Sequence, residues 1–318
     1  MLTGIHVDQV DQVDTESTTR GVAGHAISTF RAMGSDLEVQ VWGELELCES
    51  LIALALTRIE ILEQSWSRFR VNSELSRANS TAGLGPIEIS PDFAELISSM
   101  LSATKITNGL FDPTMARVIE ALGYRVDFPE LGEFTPATHI PSFRSISGVS
   151  LTGRVLTLDA GVALDPGAIG KGLAGDIICR EFMKAGATGV LANIGGDVVV
   201  AGTPGDDYWR ISVANDQCPG SGATLGTIQS EVGGFAVATS STAKRTWGNG
   251  LHHVIDPRTG AMSQTDLIQA TVVAPSGWQA ESYATAALVL GYAEGTHFLN
   301  KRGLTHFLVP APAFSSIN

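Results

Sequence analysis

At 318 residues, 44% of them hydrophobic, the chain is long enough to bury a large core without disulfide or metal staples. Thirty-three Asp and Glu against 20 Lys and Arg give a net charge of −13, which argues against nucleic acid and against general attraction to anionic membranes. Any phosphate it takes must be held by a local cluster.

The three cysteines, Cys48, Cys179 and Cys218, form no CxxC or metal-ligand pattern and are expected as buried small hydrophobes. Residues 1–26 read as a polar, poorly ordered tail ahead of one domain spanning 27–318. The tail has no basic start and no apolar run of signal-peptide length, and no window approaches the about 18 apolar residues of a spanning helix. A cytoplasmic protein with no membrane anchor is the expectation.

From Ile27, "ISTFRAMGSDLEVQVWG" alternates apolar and polar residues and predicts two antiparallel strands joined near "MGSD". The next run, "ELELCESLIALALTRIEILEQSWSRF", has helical periodicity. Ser90 is an N-cap candidate with Pro91 in the first turn, and Gly109 marks the end of that helix. "GYRVDFPELGEFTPATHIPSF" is rich in Pro and Gly and reads as an irregular connection. Beyond it "VSLTGRVLTLDAGVALD" predicts a hairpin, "IGKGLAGDIICREFMKAGA" a helix, and "TGVLANIGGDVVVAG" a strand broken at paired glycines. Short strands follow at "YWRISVA", "ATLGTIQS", "GGFAVATS", "HHVIDP" and "IQATVVAP", then one helix over "WQAESYATAALVLGYAEGTHFLNKRG". Strands come in groups rather than in strict alternation with helices, so the predicted class is α+β, with mixed or antiparallel strands packed on helices.

Three segments carry candidate chemistry. Glu281 and Thr285, at i and i+4, share one helix face, where a carboxylate and a hydroxyl can meet one hard cation. In "ALDPGAIGKGLAGDI", glycines 167, 170 and 172 let backbone amides approach an anion and Lys171 adds a point charge; the spacing fits neither GxxxxGK[ST] nor GxGxxG. In "HHVIDPRTG", a histidine can take a proton near neutral pH, and adjacent strand residues point to opposite faces, so at most one of His252 and His253 faces a given site. Each segment also has a purely structural reading, as a helix face, a tight turn or a packed hairpin.

Eight segments, in register, resemble the FAD:protein FMN transferase (ApbE) family: "AMGSDLEVQV", "WSRFRVNSELSRAN", "GLFDPT", "LDPGAIGKGLAGD", "NIGGDVVVAG", "ATSSTAKR", "HHVIDPRTG" and "TVVAPSGWQAESYATAALVLG". The resemblance implies an ApbE-like α+β fold with an FAD cleft between two halves. It also implies magnesium-dependent transfer of the FMN half of FAD to a threonine or serine hydroxyl of an acceptor protein, with release of AMP. Lys171 and Asp165 are then cofactor contacts, as are Met33, Phe69, Leu110, Phe111, Asp112 and Ile255. The Ala168 carbonyl, Glu281 and Thr285 are the protein's share of a Mg²⁺ site, and His253 is the general base. Two positions depart from the family pattern. Glu281 stands where an "ADxxxT" segment has aspartate, and "ATSSTAKR" has Ser241 where many members have glycine. An FAD-binding protein without transfer and a magnesium-dependent FAD pyrophosphatase would use the same residues.

Overall fold

The structure, a computed structural model, describes residues 5–7, 23–125, 145–205, 207–247 and 251–312. Its centre is a seven-stranded sheet. The predicted first hairpin is β1 (Ala23–Ala32) and β2 (Ser35–Glu44), with only Met33 and Gly34 in the turn. Both turn residues have positive φ, 49° and 65°, the geometry that lets a two-residue loop follow the strand twist. The run predicted as one strand broken at glycines is a second hairpin, β3 (Gly189–Ile194) and β4 (Asp197–Gly202), because Gly195 and Gly196, at φ 66° and 99°, reverse the chain completely. The sheet is completed by β5 (Phe235–Ser241), β6 (Leu267–Ala274) and β7 (His306–Pro310). All seven strands lie beside their chain neighbours and every pair is antiparallel.

Alternation along these strands feeds two cores. Val39, Val41, Val190, Ala192 and Val199 face helices, whereas Trp42, Leu191, Val198 and Val200 face the extra strands Trp209–Ala214 and Thr224–Ser230. The helix face receives α1 (Leu45–Trp66) against β2, together with the helix Gly170–Lys184 against β3 and β4 and the helix Gly277–Leu290 against β5 and β6. Between β2 and β3 the chain builds a second, mainly helical half. It contains α2 (Glu74–Ser80), α3 (Pro91–Ile106), α4 (Ala116–Ala121) and the predicted hairpin Val149–Thr152 with Val155–Leu158. The Ser90 hydroxyl accepts from Phe93 N and Pro91 opens α3, as expected; Gly109, at φ 81°, turns the chain after it. The helix Gly170–Lys184 is α5 and Gly277–Leu290 is α6.

The single helix expected at the C-terminal end is two, α6 and α7 (Tyr292–Asn300). Gly291 breaks it at φ 80°, and Asp266 accepts from Tyr292 N at 2.7 Å to cap the restart. Cys48 and Cys179 are buried as expected, but Cys218 is exposed in the turn before Thr224–Ser230. Within the expected tail, Ile5–Val7 pairs with Trp209–Ala214 and β1 begins at Ala23; residues 8–22 and most of the expected irregular connection lie outside the described residues. Among the described residues no helix is long and apolar enough to cross a membrane. The α+β expectation holds.

Candidate active site

A cavity of about 430 Å³ opens between the sheet and the helical half, in the size range of cofactor pockets. Its floor includes the first turn of α5 and one face of α6. These helices touch backbone to backbone at Gly172 and Gly277: a Cβ on Gly172 would lie 2.3 Å from the Gly277 carbonyl. The approach brings Lys171 of α5 to Glu281 of α6. Gly172 N donates to Glu281 Oε2 at 2.8 Å, and Lys171 Nζ lies 3.7 Å from Glu281 Oε1.

Lys171 is also ion-paired with Asp197, which the Gly195–Gly196 turn places at the start of β4. Asp197 accepts from Thr239 N of β5 at 3.1 Å, so the carboxylate is fixed by the sheet. Burial opposes the charge on Lys171, but Asp197 and Glu281 outweigh it and raise its pKa. Burial lifts the Glu281 carboxyl above the ordinary range, against the pull of Lys171. Thr285, one turn on, shares a hydrogen bond with Ser240 at 2.8 Å.

The other walls come from loops. Arg68 Nε lies 3.2 Å from Asp165 Oδ2, and Asp165 Oδ1 accepts from Gly167 N at 2.8 Å. The Arg68 guanidinium sits over the Phe69 ring at 4.2 Å and the Tyr124 ring at 4.5 Å. Of the paired histidines, His253 lines the cavity and His252 does not, as strand alternation predicts. Burial, and then the charge of Arg245, push the His253 pKa down to about 3, so the ring is neutral. Its Nδ1 is buried without a hydrogen-bond partner among the described residues. Asp256 binds its own neighbour Arg258 at 2.8 Å rather than orienting this histidine.

All twelve residues singled out in the sequence line this one cavity. They do not contribute equally. Leu110 and Phe111 are largely core, and the Asp112 carboxylate caps the turn Pro113–Met115 through Thr114 N at 2.8 Å. Met33 is held at the cavity by its own N–H, donated to Glu63 at 3.0 Å. Among the described residues no group of three or more His, Cys, Asp or Glu side chains gathers to hold a metal. The available donors are the Glu281 carboxylate, the Thr285 hydroxyl and the Ala168 main chain. That oxygen set, with few carboxylates, fits a hard cation that keeps several of its own waters, as Mg²⁺ does.

Residues 33–308 match the model of the ApbE family, most of the chain. The chain belongs to the ApbE family. It is 24% identical over 310 residues to the FAD:protein FMN transferase of Salmonella typhimurium, covering 92% of this chain and 86% of that one. It is 27% identical over 272 residues to the FAD:protein FMN transferase of Rhodobacter capsulatus, covering 83% of this chain but only 51% of that relative, about half its length. The apo crystal structure of the Pseudomonas stutzeri flavinyl transferase ApbE matches the fold with a TM-score of 0.77 at 22% identity, covering 92% of each chain.

Within this ApbE fold, Arg68 and Arg245 line the cavity and Asp197 pairs with Lys171 beside it, three residues the sequence alone did not single out. All three lie inside segments that carry the family resemblance. Their partners, Lys171, Asp165 and Tyr124, are distant in sequence, so no local spacing announces them.

Proposed function

We propose that this chain transfers the FMN half of FAD to a threonine or serine hydroxyl of an acceptor protein, with Mg²⁺ and with release of AMP. The observation that carries the reading is the convergence of residues from six separate segments, Met33 to Thr285, on one cavity large enough for part of a dinucleotide. Glu281, Thr285 and Ala168 are the residues that would hold Mg²⁺, which when bound supplies positive charge to phosphoryl oxygens.

The acceptor oxygen forms a bond to the FMN-side phosphorus, and the bond from that phosphorus to the bridging oxygen breaks. AMP leaves with the bridging oxygen. The hydroxyl proton passes to His253, whose neutral ring is free to take it. An anionic pyrophosphate beside the ring favours the imidazolium that results, offsetting the burial that opposes it. Asp165 and the amides of the turn before α5 orient the ligand, and Met33 and Phe69 offer it apolar and aromatic surface.

The test is incubation of the full chain with FAD, Mg²⁺ and an acceptor protein carrying threonine and serine hydroxyls. The expected result is an FMN-sized mass gain on the acceptor with stoichiometric AMP. Chelator should abolish the gain, and Glu281→Ala should reduce the rate by about 100-fold or more. FMN and AMP appearing without acceptor would replace the transferase reading by hydrolysis. FAD binding with neither product would reduce it to a flavin-binding protein.

A further inference from the structure

Five basic side chains line the cavity, and four are matched by carboxylates. Arg31 pairs with Asp36 at 2.9 Å, Arg68 with Asp165 at 3.2 Å, Lys244 with Asp216 at 3.3 Å, and Lys171 with Asp197 and Glu281. Arg245 has no carboxylate partner among the described residues. Its guanidinium donates to the Tyr124 hydroxyl at 3.4 Å, long for a hydrogen bond. The side chain nonetheless faces inward, lining the cavity together with Lys171, Glu281 and His253.

The backbone explains that aim. The strand pair Thr246–Trp247 with Leu251–His252 sets Thr246 opposite His252, and one step further along the register brings Arg245 beside His253. Trp247 anchors the pair, its ring buried and its Nε1 donating to Leu122 O at 2.9 Å. A guanidinium held there, half-buried and without a carboxylate in ion-pair contact among the described residues, keeps its N–H donors available to an anion entering the cavity.

We propose that Arg245 is the side chain that grips the phosphate oxygens of the ligand, beside His253 and across from the already neutralised Lys171. The ligand class is a nucleoside diphosphate or a dinucleotide that contains one. A planar guanidinium presents parallel N–H donors to two phosphoryl oxygens, and its charge is not divided with a protein carboxylate. In the transfer reaction, on whose reading this role rests, Arg245 would also offset charge on the phosphorus under attack.

The experiment measures binding of FAD, ADP and riboflavin to wild type, Arg245→Met and Arg245→Lys, in chelator so that no metal contributes. Thermal melts confirm that the variants are folded. Arg245→Met should weaken FAD and ADP by about 10- to 100-fold, the loss expected for a charge-assisted hydrogen-bond pair, and leave riboflavin unchanged. Arg245→Lys should recover part of the loss. Unchanged ADP affinity in Arg245→Met would overturn the inference, as would an equal loss of riboflavin, which marks a structural role. Wild type that binds ADP but no flavin would overturn the transferase reading and leave the assignment of Arg245 to be judged on ADP alone.

Discussion

The helix-borne side of the cavity and its loop-borne side are held in different ways. On the helix side, Asp176 of α5 accepts from Gly277 N at 2.6 Å and Trp278 N at 3.1 Å, clamping the start of α6 at the Gly172–Gly277 contact. Lys171, Asp197 and Glu281 then satisfy one another within the protein. On the loop side, Arg68, Phe69, Tyr124, Arg245 and His253 come from segments outside the regular helices and the central sheet. Ring contacts join them, Phe69 to Tyr124 at 5.6 Å and Tyr124 to Trp247 at 5.5 Å. Arg68 Nη2 and His253 Nδ1 remain buried without partners among the described residues. Buried donors and acceptors are seldom left unmatched, so in the proposed reaction the ligand meets these loop-side groups, whereas the helix side sets its carboxylates through the protein's own contacts.

The largest expected effect is on the loop side. His253→Ala should slow transfer by about two to four orders of magnitude while FAD affinity stays within a few-fold of wild type. Transfer at the normal rate would remove the histidine from the reaction. The pH dependence follows from the direction of its shift. With the folded pKa near 3, below the unfolded 6.5, the ring of the free protein stays neutral as pH falls through 6.5, and kcat/KM for FAD should lose no activity there on its account. For stability the sign is the one for a depressed group. The contribution is fully present above pH 6.5 and is lost as pH falls towards 3, because the unfolded chain takes up the proton first. A kcat/KM for FAD that titrates at 6.5 in wild type and not in His253→Ala would contradict the buried, neutral ring.

Next in size is a change on the helix side that touches no ligand. Gly172→Ala places a Cβ 2.3 Å from the backbone of Gly277, where no side chain can swing away. It should destabilise the fold by about 3 kcal/mol, read from the denaturant midpoint, and lose the Lys171–Glu281 arrangement with it. Gly170→Ala, two residues earlier, meets nothing closer than Pro166 Cβ at 3.5 Å and should be within about 1 kcal/mol of wild type. Equal costs at the two positions would mean that the helix contact does not set the site.

The same contrast decides what could be read without a structure. Ser90, Pro91 and Gly109 bound α3 through local backbone chemistry, and Glu281 and Thr285 share a face because a helix repeats every 3.6 residues. Those signals are local, so they are legible. The break at Gly291 depends on Asp266 from a distant loop, and the edge strand β7 exists because β6 offers it a register, His306 to Val272 through Pro310 to Leu267. Neither partner is visible from the segment itself. On the loop side no periodicity relates Phe69, Asp165 and His253, and only resemblance to the family brought them together in advance. Asp197 shows the limit of that route as well. It lies within a matching segment, but its pairing with Lys171 spans a helix and a strand turn.

The smallest effect separates the two kinds of constraint at one residue, Met33. It sits in the hairpin turn at φ 49°, a left-handed conformation that costs a non-glycine residue about 1 kcal/mol or more, and its side chain packs against both neighbouring core clusters. Asparagine suits that turn better, since Asn-Gly is the preferred pair for a two-residue hairpin loop, but it gives up the apolar contacts. The two terms oppose each other, so Met33→Asn should leave the unfolding free energy within about 1 kcal/mol of wild type. The Met33 N–H is main chain and keeps its bond to Glu63. Riboflavin affinity, by contrast, should fall by about 3- to 10-fold as thioether surface leaves the cavity. A stability loss well above 1 kcal/mol with flavin binding intact would make Met33 a core residue that merely borders the cavity. The expected split would show that the turn tolerates its strain for the ligand's sake.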